Sequence, residues 1–283
     1  MQSVESITAL HAQIKAWRDH KQTIAFVPTM GNLHQGHLSL VRKAGELADK
    51  VVVSIFVNPL QFDDKADLSA YPRTVKADIQ MLSSEDCDVI FTPTVETIYP
   101  KGMTQHTSVI VPNMDDKLCG LKRPGHFHGV ATIVTKLLNI VQADIALFGE
   151  KDYQQLLLIK RLVRDLNLPV DIVGSPTYRE HSGLAMSSRN QYLTEQQREQ
   201  ASALYQTLLS VQQQIEMGNQ DFPALQLEAF TKLQELGFEA EYVDIRRADD
   251  LAQAISGDNN LRILVAARLG KARLIDNIAC NLA

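Results

Sequence analysis

The sequence has little of what staples, spans or spreads positive charge. Its 3 cysteines, Cys87, Cys119 and Cys280, are an odd number without a Cys-x-x-Cys pair. They suggest neither a disulfide framework nor a cysteine zinc site, and a reducing cytoplasm is the natural compartment. No uncharged apolar run approaches the ~18 residues needed to cross a bilayer, and Met1 to Ser6 lack the basic start and apolar stretch of a secretory signal. The reading is a soluble chain with no membrane partner. Positive charge is not in excess either: 28 Lys+Arg stand against 33 Asp+Glu, a net charge of −5. That argues against a dedicated nucleic-acid binder, whose affinity comes largely from phosphate-neutralising Lys and Arg, but leaves room for a local pocket for a small anion. Only 14 Gly and 10 Pro beside 45% hydrophobic residues exclude disordered and collagen-like compositions.

What is present is enough apolar material for more than one core, since 283 residues usually exceed what one core serves. Ile7, Leu10, Ile14 and Trp17 form one apolar helical stripe. Strand-like runs follow at 23–27, 51–57, 88–91, 144–148 and 170–173, with helical spacing at 36–49, 74–84, 130–141 and 152–166. The run Val51 to Val57 is almost continuously apolar, as strands buried on both faces are. This alternation predicts a doubly wound parallel α/β sheet of Rossmann-like type over residues 1–176, with ligands beyond the carboxyl ends of its strands. Two stretches, 58–72 and 92–128, interrupt it as long loops. Beyond Pro176, helices at 194–216 and 223–236 and strand-like runs at 241–245, 262–266 and 273–277 predict a smaller α+β domain over 177–283, expected to act as a lid. Leu269-Gly270-Lys271 reads as a hairpin connection.

Three stretches carry candidate chemistry. Pro28 to His37 (PTMGNLHQGH) joins a strand to a helix, a position where free N–H groups and the helix dipole attract phosphate. Its His34 and His37 can donate hydrogen bonds to a polyphosphate. Taken alone, the pair also reads as incidental surface histidines or, more weakly, as a zinc pair; its place between strand and helix favours phosphate. Phe148 to Gln155 (FGEKDYQQ) offers Lys151 for phosphate oxygens, Asp152 for a hydroxyl or Mg²⁺, and Gln155 for a polar substrate, or else a capped, charged helix start. Met186 to Asn190 (MSSRN) is a phosphate clamp or a plain Ser/Asn turn. Gln61 follows a strand end, facing substrate or serving as an ordinary loop amide. Arg123 and His126, in the long loop, meet an anion or, the favoured reading, cap local structure. Asp63, Asp64 and Asp78 could attract a metal, although exposed carboxylates on a solvated face are commoner. Cys119 reads as packing.

The ordered set PTMGNLHQGH, VNPLQF, YPRT, RPGHF, FGEKDYQQ and MSSRN, with a compatible LVAARLGKARLIDN near the C-terminus, closely resembles the pantoate–β-alanine ligase family. That family is similar to the HxGH nucleotidyltransferases, which include class I aminoacyl-tRNA synthetases. The resemblance implies ATP-dependent joining of (R)-pantoate to β-alanine through pantoyl adenylate, in a cytoplasmic homodimer using Mg²⁺. It implies ATP contacts from Met30, Gly31, Asn32, Leu33, His34, Gln35, Gly36 and His37, with His37 as proton donor. Gly149, Glu150, Lys151, Asp152 and Tyr178 would line the nucleotide, and Met186, Ser187, Ser188 and Arg189 would close on it. His34, Lys151, Ser187, Ser188 and Arg189 share the catalytic work. Gln61 and Gln155 match the amides that hold pantoate, with Gln61 also near β-alanine. Some relatives carry adjacent acidic residues where this chain has Ala77-Asp78, so a protein-side metal role would rest on Asp78 alone. A nucleotidylyltransferase acting on a phosphate-bearing acceptor is the competing enzyme reading, disfavoured because amides rather than extra basic residues stand at the strand ends.

Overall fold

The computed structural model describes residues 1–62 and 65–282, so Asp63 and Asp64 lie outside the described residues. The chain divides into two compact units, Met1–Glu150 with Leu158–Pro176, and Lys151–Leu157 with Thr177–Ala283.

The first unit is built on six parallel strands: β1 (Gln2–Val4), β2 (Ile24–Thr29), β3 (Lys50–Ile55), β4 (Val89–Phe91), β5 (Ile145–Gly149) and β6 (Asp171–Ser175). Their order is β1-β4-β3-β2-β5-β6. Burial follows position: β2 and β3, in the middle, are buried along almost their whole length, whereas the edge strands β1 and β6 each bury one residue, β1 being otherwise exposed and β6 mostly half-buried. That is why TIAFV and VVVSIFV read as continuous apolar runs. Val27, Val53, Ile90 and Leu147 on one face pack against Val41 and Ala44 of the helix Gln35–Leu47 and Leu82 of the helix Val75–Leu82. The helix His126–Val141 packs on β2 and on the opening helix Ile7–Asp19, whose buried stripe is Leu10, Ile14 and Trp17.

The feature that positions a site is the strand order. β2 pairs with β3 on one side and with β5 on the other, so chain progression reverses there and the connections leave to opposite faces. Such a reversal opens a crevice beyond the carboxyl ends of the two strands. Two of the three candidate stretches start at those ends, one after Thr29 and one at Gly149.

The second unit holds an antiparallel sheet of β7 (Glu239–Arg247), β8 (Asn260–Leu269) and β9 (Ala272–Asn281). The helices Ala203–Glu216 and Phe222–Glu235 cover it, burying Leu208, Val211, Leu225 and Leu233 against Val243, Ile263 and Val265. β8 and β9 are joined at Gly270-Lys271, with Leu269 paired to Ala272, the hairpin expected there.

Several boundaries differ from the sequence reading. β1 was not anticipated, because three residues with only Val4 buried give no periodic signal. The stretch 58–72 contains a 3₁₀ turn at Pro59–Gln61 and a helix at Lys65–Ala70, and 92–128 contains the helices Val95–Ile98 and Leu118–Lys122. The helix expected from 130 starts at His126, directly after Gly125. The single helix expected over 194–216 is two, Glu195–Ala201 and Ala203–Glu216: the Ser202 hydroxyl and N–H both turn back to the Glu199 carbonyl, tightening the chain locally.

Candidate active site

The loop after β2 is fixed by one carboxylate. Asp78, on the helix Val75–Leu82 and only 1% exposed, accepts the backbone N–H of Asn32 at 3.0 Å and of Leu33 at 2.8 Å, and the Thr74 hydroxyl at 3.2 Å. Gly31 and Asn32 both take left-handed backbone, at φ +79° and +50°. A Cβ on Gly31 would stand 3.0 Å from Asp78 Oδ2 and from Ile55 Cγ2, so glycine is required for space as well as for conformation. The Gly31 N–H is taken by the Thr29 hydroxyl, which itself donates to the Ser54 carbonyl. Asp78, a carboxylate that could attract a metal by its residue type, here anchors the loop through both of its oxygens. Among the described residues, no group of three His, Cys, Asp or Glu side chains is placed to hold a metal ion.

His34 caps the helix Gln35–Leu47, and the two histidines cap it reciprocally. His34 Nδ1 accepts the Gly36 N–H at 3.2 Å, and His37 Nδ1 accepts the His34 N–H at 3.3 Å. The N–H groups of His34 and Gly36 therefore bond within the protein rather than standing unpaired for phosphate, as position alone suggested. The consequence is a defined tautomer. With Nδ1 an acceptor on each neutral ring, the proton sits on Nε2, so both imidazoles are Nε2–H donors. The rings lie with centroids 4.1 Å apart, a paired donor face at the end of β2.

Gln61 closes the 3₁₀ turn after β3. Its amide is oriented from both ends: Nε2–H donates to Met30 Sδ at 2.7 Å, and Oε1 accepts from Asn58 Nδ2 at 3.2 Å. Asn58 is itself 1% exposed, donating to the Gly129 carbonyl and accepting the Tyr99 hydroxyl at 2.9 Å. Burial raises the Tyr99 phenol, which keeps it a donor. His126 Nδ1–H donates to the Gln61 carbonyl at 2.7 Å, and Arg123 donates to that carbonyl and to His126 Nε2. Arg123 and His126 thus brace Gln61. Asn58, Tyr99 and Gly129 were not singled out in the sequence. The Asn-Pro step after a strand is the signal that could have marked Asn58 as a turn cap, which it is, toward the Leu60 N–H.

Gly149 and Glu150 end the first unit's opening segment, and the other candidates, from Lys151 on, lie in the second unit. Glu150–Asp152 is a 3₁₀ turn leading into the helix Tyr153–Asp165, on which Gln155 is half-buried. The Lys151 side chain is 17% exposed, with Nζ 3.8 Å from the Asp152 carboxylate. Tyr178 and Met186 face one another across a small antiparallel turn, Met186 N–H donating to the Tyr178 carbonyl at 2.9 Å beside an Arg179–Ala185 bridge. Ser187 then caps a 3₁₀ turn, Ser188–Tyr192, by accepting the Arg189 N–H at 3.2 Å. The clamp reading and the turn reading of this loop are therefore compatible. Buried Asn190 ties the loop down through Glu180 and the Ala185 carbonyl, and Arg198 holds Glu180 with two bonds. Lys151 and Ser187, far apart in sequence, line the same depression with Asn190 and Asp276. Cys119, half-buried, has no assigned role.

With this geometry in place, likeness to known proteins is informative. The family model for pantoate-beta-alanine ligase matches residues 2–279. A pantothenate synthetase of Pseudomonas aeruginosa is 54% identical over 282 residues, covering 100% of both chains, and one of Shewanella oneidensis is 54% identical over 272 residues, 96% of each. Among solved structures, the Thermus thermophilus enzyme superposes with TM-score 0.91 at 42% identity, covering 98% of this chain and 99% of its own. A Francisella tularensis pantoate-beta-alanine ligase complexed with beta-gamma ATP and beta-alanine matches with TM-score 0.82 at 39% identity, covering 98% and 97%. A full-length family match, relatives at this identity and a shared fold lead to one conclusion: the chain belongs to the pantoate-beta-alanine ligase family.

Proposed function

We propose that the chain makes (R)-pantothenate from (R)-pantoate and β-alanine, converting ATP to AMP and diphosphate by way of pantoyl adenylate, a step towards coenzyme A. A pantoate carboxylate oxygen attacks the α-phosphorus of ATP, the bond to the β-phosphate breaks and diphosphate leaves. The β-alanine amine then attacks the activated acyl carbon, losing a proton as the bond to AMP breaks. The carboxylate is already ionised at neutral pH and AMP is a competent leaving group, so neither a general base for the first step nor a covalent enzyme nucleophile is needed. Catalysis rests on positioning and on charge stabilisation.

The observation that carries this reading is the reciprocally capped pair His34 and His37 at the sheet's reversal point. Two Nε2–H donors fixed in one tautomer suit a polyphosphate whose charge grows on the β-phosphate as the α–β bond breaks, His37 offering its Nε2–H as a hydrogen bond to the leaving diphosphate without giving up the proton. Met30 to His37, Gly149 to Asp152, Tyr178 and Met186 to Arg189 are assigned to ATP, with Lys151, Ser187, Ser188 and Arg189 bearing on its phosphates. Gln61 and Gln155 are assigned to the pantoate hydroxyls, and Gln61 also to β-alanine. The braced amide of Gln61 suits that task, because it can present donor and acceptor without the entropy cost of ordering a free side chain. Mg²⁺ enters with the triphosphate as its counter-ion. A protein-side contact to that ion would rest on Asp78, whose carboxylate also anchors the loop. We place the enzyme in the cytoplasm as a homodimer, on family resemblance.

Product analysis tests the reading. Purified protein given ATP, pantoate and β-alanine should yield pantothenate with stoichiometric AMP and diphosphate; release of ADP and phosphate would replace the adenylate by an acyl phosphate.

A further inference from the structure

The segment Lys151–Leu157 follows β5 in sequence, yet it groups with the second unit, and a set of buried polar contacts shows what ties it there. Asn277, on β9 and 3% exposed, donates from Nδ2 to the backbone carbonyl of Lys151 at 2.9 Å. Its Oδ1 accepts Arg262 Nε–H at 2.6 Å. Arg262, on β8 and 7% exposed, lays its guanidinium on the Tyr153 ring, 4.0 Å from the centroid, and the Tyr153 hydroxyl donates to the Ala248 carbonyl at 3.0 Å. The residues on either side of Asp152 are thus both held by the antiparallel sheet, Lys151 through its carbonyl and Tyr153 through its ring.

Hydrophobic residues of similar volume would fill this space at lower desolvation cost, since burying a guanidinium is expensive even when it is hydrogen-bonded. What they would not do is fix a backbone carbonyl. Lysine is a point charge on a flexible four-carbon stem, so where its ammonium reaches depends on where its backbone is held. We propose that Asn277, backed by Arg262 and Tyr153, is a positioning residue that sets Lys151 on the ATP phosphates. This rests on the assignment of Lys151 to phosphate made above. It gives the polar side chains of the LVAARLGKARLIDN stretch a task in the reaction, although none of them needs to touch substrate.

The experiment is a double-mutant cycle between Asn277→Asp and Lys151→Ala, read as kcat, as KM for ATP and for pantoate, and as Tm. Asn277→Asp is isosteric and still accepts from Arg262, but removes the donor to the Lys151 carbonyl. Expected are a fall in kcat of about tenfold or more, as displacements of an ångström produce, an unchanged KM for pantoate, and no further loss of kcat when Lys151 is already alanine, while the lost buried hydrogen bond lowers Tm equally in both backgrounds. A wild-type kcat, or an equal loss of kcat in the Lys151→Ala background, overturns the proposal. Arg262→Lys keeps the charge but withdraws the planar group from Tyr153 and Asn277, and a wild-type kcat there overturns it equally. If Lys151→Ala itself left kcat unchanged, the phosphate assignment would fail instead, a distinct result.

Discussion

Asp78 holds Leu33: a buried carboxylate on one helix accepts the backbone N–H of a loop residue at 2.8 Å, one position ahead of the first histidine of the pair. Asp78→Asn would turn an amide N–H toward the N–H groups of Asn32 and Leu33, leaving at least one buried donor unpaired. The expected cost is about 1–3 kcal/mol of stability, with a fall in kcat larger than any rise in KM. Urea unfolding beside steady-state kinetics checks it; full activity at wild-type stability would remove Asp78 as the loop's anchor.

His34→Ala and His37→Ala each delete one Nε2–H donor and one half of the reciprocal cap. Turnover should drop by two orders of magnitude or more, on the scale of about 10²–10³ for a lost transition-state donor, while stability falls by only about 1 kcal/mol, the usual worth of a cap. Near-normal kcat in either variant would separate the histidines from the chemistry.

Gly129 lies where the helix His126–Val141 meets the turn carrying Gln61. A Cβ there would stand 2.3 Å from the Leu60 carbonyl oxygen and 2.7 Å from Gln61 Cα. Backbone cannot yield as a flexible side chain does, so Gly129→Ala should cost about 1–3 kcal/mol and raise KM for pantoate and β-alanine with KM for ATP unchanged. Substrate titrations decide this, an equal rise in all three KM values being the contrary outcome.

The contrast between Gly129 and the histidines shows what the sequence could display. The central strands were legible because β2 and β3 are buried on both faces and so are continuously apolar, and the pair His34/His37 was legible because it stands between a strand and a helix. Helix starts and short edge strands were less so. Gly125 and His126 look like loop residues until the helix they open is seen, and β1 is too short to show a period. The braces behind the site were not legible at all. Asp78 to Leu33, Tyr99 to Asn58 and Asn277 to Lys151 each join residues tens of positions apart or more, and no local pattern marks such pairs. The loop-anchoring role of Asp78 was hidden in the same way, since an isolated carboxylate gives no sign of the backbone groups it will meet.

Burial, helped by the neighbouring Asp88 carboxylate, pushes the Cys87 thiol up to about 12. The folded pKa lies above the unfolded value of about 8.5, so the folded state binds the proton more tightly. The associated stability is complete below about pH 8.5 and declines as pH climbs towards 12. Cys280 and Tyr99, both raised by burial, act in the same sense. Cys87→Ala should therefore flatten the alkaline fall of unfolding free energy between about pH 9 and 11, and in the native protein Cys87 should resist alkylation until the chain unfolds. Rapid labelling of Cys87 in folded protein would contradict its burial.

Isotope exchange between diphosphate and ATP measures directly whether pantoate is adenylated before β-alanine reacts. With β-alanine omitted, exchange should appear only when pantoate is added and should vanish in His37→Ala. Formation of pantothenate by the complete system without pantoate-dependent exchange would contradict the two-step account.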